Sequence, residues 1–391
     1  MGGYGCDPNH SSRQMSVLRG AFAHLGQSRE HRGMGMKFLA VLVVPLLAAC
    51  TSATPEAATS SETARAPAVV GEAATDLAAP WSMAILADGQ TLLTQRDDAS
   101  ITLLQQDGSQ VDLGQVDGVV PGGEGGLLGI AAPPARNGKQ DAVYVYFTGA
   151  NDNRVVRFDW DGKELSGQKM ILSGIPKAQI HNGGRIAFGP DGDLYIATGD
   201  AGEPDLAQDK SSLGGKILRV TEAGDPAPGN PDPASPVYSL GHRNVQGLAW
   251  DDDGRLWASE FGANDVDELN QIEPGSNYGW PECEGSCDRA EFAQPAAEWS
   301  PTSIASPSGL AIADGSAWVA SLRGQRLWQV PLDGASAGVP QEWFAGEFGR
   351  LRDAAIGPDG LLWVATNNTD GRGSPEPGDD RIVLIELPTS A

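Results

Sequence analysis

The chain has 391 residues and a formal charge of −24, from 51 acidic and 27 basic side chains. That balance, with no basic stripe anywhere, argues against nucleic acid as a partner. Its 51 glycines and 27 prolines argue against a helical bundle, while 40% apolar residues supply core enough for one large all-β domain.

Residues 1–35 are mixed polar sequence unlike the start of an export signal, which points to Met34 or Met36 as the true start. From Met36, one charge (Lys37) leads an apolar run that is too short to span a bilayer and reads as a secretory signal. Its end, Leu47-Ala48-Ala49-Cys50, resembles the lipobox of bacterial lipoproteins. The resemblance implies removal of residues 1–49, lipidation of Cys50, and a cell-membrane lipoprotein facing the outside or the periplasm. Membrane contact would then be through the lipid anchor alone. Residues 50–76, rich in Ala, Thr, Ser, Pro and Glu, read as the lipidated cysteine and a flexible linker. The folded domain is expected over 77–388.

One pattern then recurs six times: an apolar stretch, a turn at Asp-Gly or Asn-Gly, and an aliphatic strand ending near Thr or Ser. The turns are Asp88-Gly89, Asn137-Gly138, Asp191-Gly192, Asp253-Gly254, Asp314-Gly315 and Asp359-Gly360, spaced 45 to 62 residues apart. Such dipeptides between apolar runs are strong hairpin signals. Six units of several short strands predict a six-bladed β-propeller, whose loops surround a central channel. A β-sandwich would not repeat one motif at this period, and no unit has the helical pattern of a TIM barrel.

Beyond the leader only two histidines remain, both in Gly-rich turns. His181 opens His181-Asn182-Gly183-Gly184-Arg185, and His242 lies in Gly241-His242-Arg243-Asn244-Val245-Gln246-Gly247. His181 leads into a blade, where an imidazole facing the channel suits a general base. Glu260 to Glu268 gathers carboxylates and carbonyls around Gly262, which suits calcium or a solvated acidic loop. Cys283 and Cys287 are spaced for a small disulfide; a zinc site would need two further soft ligands. Arg350 and Arg352 flank Leu351, so in extended chain both project to one face as a carboxylate clamp, unless they pair with the chain's own acids. Arg323 is a third cation in the preceding unit.

Together these motifs resemble the pyrroloquinoline quinone (PQQ)-dependent soluble sugar dehydrogenases, the glucose/sorbosone and aldose sugar dehydrogenase family. The likeness runs from Leu77 to Leu387. It includes Gly123-Glu124-Gly125-Gly126-Leu127, the two histidine motifs, Gly199-Asp200-Ala201-Gly202, Leu213-Gly214-Gly215-Lys216 and Asn277-Tyr278-Gly279-Trp280-Pro281. It implies a quinoprotein that oxidises the anomeric hydroxyl of a sugar to a lactone with hydride transfer to PQQ. On this resemblance His181 takes the hydroxyl proton, Glu124 contacts the sugar or the histidine, and Arg243 polarises the quinone. Asn244, Phe261, Thr302, Arg323, Arg350 and Arg352 would contact the cofactor. A calcium ion would bridge PQQ to the carbonyls of Gly262 and Ala263, and Glu268 with the Tyr278 carbonyl would hold a structural calcium. Two positions depart from the family: Phe261 stands where His or Gln is usual, and Arg323 where Lys is frequent. The alternatives are a propeller that binds sugar or protein without catalysis, and a calcium-dependent lactonase-type hydrolase. The latter needs a carboxylate-built central metal site, against which the arginines argue.

Overall fold

The computed structural model describes residues 66–388. The leader, the lipobox and Cys50 lie outside the described residues. The innermost strands are Pro80–Ile85, Leu127–Ala131, Ile186–Phe188, Val245–Trp250, Pro307–Ala313 and Leu351–Ile356, each opening one antiparallel sheet. Six such sheets form the blades of a β-propeller; the fifth carries one additional short strand on its third.

Each Asp-Gly or Asn-Gly pair joins the innermost strand of a blade to the second. At Asn137-Gly138 and Asp314-Gly315 both residues have positive φ (53° and 73°; 49° and 66°), the type I′ turn that matches strand twist. In an up-and-down blade the connections alternate between the two ends. All six hairpins therefore lie at one end of the ring. At the other end lie the loops leading into each innermost strand and those joining second to third strands. Most of the candidate site residues fall in these two loop classes; Glu268 and Arg352 lie on strands, and Tyr278 in a third-to-fourth connection.

The linker expected over 50–76 does not hold for its described end. Ala68–Ala74 is a strand and pairs with Ile382–Glu386 as the outermost strand of the sixth blade. Its composition is linker-like because an outermost strand buries little; Val69 and Val70 are exposed.

Blades pack through apolar faces, as where Leu128, Tyr144 and Tyr146 meet Ile186, Leu194 and Ile196. At the ring's centre, register shifts interrupt the first two strands of every blade but the third, at Trp81, Leu128–Gly129, Gln246, Ser308–Gly309 and Arg352. Such bulges re-aim side chains. The Arg352 guanidinium bonds Gln246 Oε1 (2.7 Å) and Ser308 Oγ (3.2 Å) and lies over the Trp81 ring. Arg185 covers the same ring and pairs with Asp353 at 3.0 Å. This buried polar layer floors the upper channel.

Candidate active site

Above that floor lies a cavity of about 280 Å³. Glu124, His181, Arg243, Phe261, Gly262, Ala263, Thr302, Arg323 and Arg350 line it, so most of the residues singled out in sequence converge there. Asn244, Arg352, Glu268 and Tyr278 lie outside its lining.

His181 is held from three sides. Its backbone sits at φ 54°, which a non-glycine residue adopts only when its surroundings dictate it. Its N–H donates to Glu124 Oε2 at 2.8 Å. The Asn182 side chain closes the loop by bonding both the N–H and the carbonyl of Ala178. Gly199 is required opposite, because a Cβ there would stand 2.0 Å from the His181 carbonyl oxygen.

His181 Nδ1 lies 2.6 Å from Asp200 Oδ1. Asp200 also accepts from the Gly202 N–H (2.8 Å) and Trp280 Nε1 (2.8 Å). Burial opposes its charge, but the bonds from His181, Gly202 and Trp280 outweigh that and hold its carboxyl below the usual value. An ionised Asp200 makes Nδ1 the protonated nitrogen. In the neutral imidazole this leaves Nε2 as the acceptor, on a ring that lines the cavity.

Opposite His181 the wall is cationic. Arg243 donates to the Phe261 carbonyl (3.1 Å) and lies against Trp280, while Arg350 is buried and reaches Asp370 Oδ2 at 3.2 Å. Arg323 is exposed at the rim. Arg350 and Arg352 do not form the side-by-side pair expected from their spacing. The bulge at Arg352 breaks the strand alternation and sends that side chain into the channel floor. Burial, then the guanidiniums of Arg96 and Arg350, push Arg352 down to about 9. Arg243 Nε, Arg350 Nε and Asn244 Nδ2 are among the buried donors left without partners in the described residues. Asn244 Oδ1 is occupied by the Gly183 N–H (3.0 Å). Orphaned donors and crowded cations are costly unless an anionic, acceptor-rich group answers them. A quinone bearing three carboxylates has that chemistry, so the residues present fit it.

The carbonyls of Gly262 and Ala263 accept no hydrogen bond among the described residues, which leaves them free as hard-cation ligands. Asp267, on the same wall, accepts from the N–H groups of Gly262 (2.9 Å) and Ser306 (2.7 Å), and burial pushes it up to about 7. Behind this wall lies a space of about 10 Å³ bordered by Glu260, Glu268, Tyr278 and Trp280. Burial and then the neighbouring Glu260 charge raise Glu268. Glu260 is engaged by His242 and Arg243, and Glu268 by Asn270 and Gly285; among the described residues no group of three or more His, Cys, Asp or Glu side chains is arranged to hold a metal ion.

Sequence reasoning missed Asp200 as the partner of His181. The Gly199-Asp200-Ala201-Gly202 motif was its available signal. Asp370 and Arg372 were also missed. Arg372 lines the cavity and approaches Glu124 Oε1 at 3.4 Å from a loop of the sixth blade. Cys283 and Cys287 are bridged.

Residues 77–376 match the Glucose / Sorbosone dehydrogenase family. The fold is similar to the PQQ-bound form of an aldose sugar dehydrogenase from Streptomyces coelicolor, at 54% identity and TM-score 0.80, covering 83% of this chain and 99% of that one. It is also similar to an oxidoreductase (glucose dehydrogenase) from Thermus thermophilus, at 42% identity and TM-score 0.76, covering 81% and 99%. In sequence it is 26% identical to the aldose sugar dehydrogenase YliI of Escherichia coli, over 75% of this chain and 88% of that protein.

Proposed function

The chain belongs to the glucose/sorbosone dehydrogenase family, and from that premise we propose that it is a quinoprotein aldose dehydrogenase. It oxidises the anomeric hydroxyl of a sugar to a lactone. The observation that carries this reading is His181, its Nδ1 fixed by an ionised Asp200 and its ring facing a cavity walled by arginines. PQQ, when bound, supplies the two-electron acceptor for the sugar's hydride.

Arg243, Asn244, Arg323 and Arg350 would hold that cofactor, with Thr302 and Phe261 beside it and Arg352 supporting the cavity from below. His181 Nε2 accepts the proton of the anomeric hydroxyl, and the resulting imidazolium is stabilised by Asp200. Glu124 fixes the His181 backbone through one oxygen and leaves the other for a sugar hydroxyl or for Arg372. Phe261 offers an apolar ring where a polar contact would otherwise stand, and its carbonyl steadies Arg243. The free carbonyls of Gly262 and Ala263 would take calcium, and Glu268 with Tyr278 a second, structural calcium. The leader and Cys50 would carry the domain out of the cytoplasm and tether it to a membrane, its partners there being the sugar and an electron acceptor.

The test is turnover. The chain is supplied with PQQ and calcium, and reduction of an electron-accepting dye is followed with a panel of aldoses. Quinone-dependent reduction by the wild type and its loss in His181→Ala are expected. Absence of both turnover and PQQ binding would sink the proposal. Full activity in His181→Ala would overturn the base assignment instead.

A further inference from the structure

The disulfide loop 283–287 is unused by the chemistry above, yet the glutamate it encloses reaches the cation-binding loop. Glu284 Oε1 accepts the backbone N–H groups of Ala263 (2.7 Å), Asn264 (2.8 Å), Asp265 (2.8 Å) and Val266 (3.2 Å). Consecutive amides converging on one oxygen form an anion nest, and the acceptor's charge strengthens each bond.

In a trans peptide the C=O of one residue points opposite to the N–H of the next. Turning the N–H groups of Ala263 and Asn264 onto Glu284 therefore turns the carbonyls of Gly262 and Ala263 away from it. Both residues line the large cavity, and Glu284 does not. The approach is as close as the chain permits: a Cβ on Gly262 would stand 1.6 Å from the Val266 carbonyl oxygen and 2.8 Å from Glu284 Oε1. The disulfide loop is itself fastened to the fourth blade, through Gly285 N–H to Glu268 Oε1 (2.7 Å) and Ser286 N–H to Glu298 Oε1.

We propose that Glu284 is a positioning residue that sets the carbonyls of Gly262 and Ala263 toward the cavity, and that the Cys283–Cys287 bridge makes this setting sensitive to thiol reduction. The proposal rests on the function stated above for the ligands it serves. The carboxylate touches neither sugar nor cofactor and acts only through the loop.

The experiment uses the full chain with Glu284→Ala, Glu284→Gln and Cys283→Ser/Cys287→Ser. Amide hydrogen exchange is followed over 262–266, and PQQ binding by its own absorbance during a calcium titration. Glu284→Ala is expected to speed exchange at 263–266 and to raise half-saturating calcium about 10–100-fold, as loss of an outer partner of a metal ligand does. Glu284→Gln keeps one acceptor oxygen and should fall between it and the wild type. The disulfide variant should raise half-saturating calcium too, and should add nothing to Glu284→Ala. Unchanged exchange, or half-saturating calcium within twofold of wild type, overturns the proposal. A wild type that binds neither calcium nor PQQ overturns the proposed function and the ligand half of this inference; exchange then still decides whether Glu284 holds the loop.

Discussion

Two histidine–carboxylate pairs lie in neighbouring blades, and their difference shows what makes an imidazole available for chemistry. His181 has Asp200 on Nδ1 at 2.6 Å, and His242 has Glu260 on Nδ1 at 2.8 Å. The contrast is in the second nitrogen. His242 Nε2 meets Ser239 Oγ at 2.8 Å, its ring stacks on Tyr278 with centroids 4.7 Å apart, and it is fully buried. His181 retains 13% side-chain exposure and faces the cavity. The same dyad is thus closed off on every side in one place and open to the cavity in the other. Glu260 also accepts the Arg243 N–H, so the buried pair steadies the cationic wall of the cavity that His181 faces.

The largest expected effect is on kcat. His181→Ala should lower kcat about 10²–10⁴-fold, the usual worth of a general base, and should cost less stability than loss of His242, because Asp200 keeps the Gly202 N–H and Trp280 Nε1. His242→Ala should act mainly on stability: it leaves Glu260 buried with the Arg243 N–H as its remaining partner, so denaturant unfolding should report a loss of about 3–5 kcal/mol. A kcat collapse in His242→Ala without loss of stability would break the distinction. Asp200→Asn should lower kcat about 10–100-fold, less than loss of the imidazole itself, because the ring keeps a partner but no longer a charged one. Asp200 also carries a pH signature. Its folded carboxyl is depressed below 3.8, so its stabilising contribution is complete above that value and fades as pH falls below it. The acid limb of an unfolding titration should flatten in Asp200→Asn. Glu260→Gln, which retains an acceptor for His242, should cost about 1 kcal/mol in chemical denaturation and little in turnover.

The blades were legible because each is announced by its own local turn: Asp88-Gly89 and its five counterparts need only their neighbours to fold back. The closing strand was not. Ala68–Ala74 is extended only because Ile382–Glu386 offers it an edge, and nothing nearby in sequence records that partner. His181 and Arg243 were visible as polar residues in Gly-rich loops. Asp200 lay within a recognised motif, but its pairing with His181 crosses from one side of a blade's first hairpin to the other. Arg352 was misplaced because a single-residue bulge defeats the alternation rule. Glu284 was hidden because a nest is a property of the receiving backbone, and Ala263-Asn264-Asp265-Val266 carries no sequence sign of it.

The shared sixth blade sets an order of events for the whole chain. Its outermost strand is the first to leave the ribosome among the described strands, and the strand beside it is the last. No circle can exist until the final segment has emerged, so five blades wait as an open arc with unpaired flanks. Closure of the ring then becomes the step that commits the molecule to its finished shape.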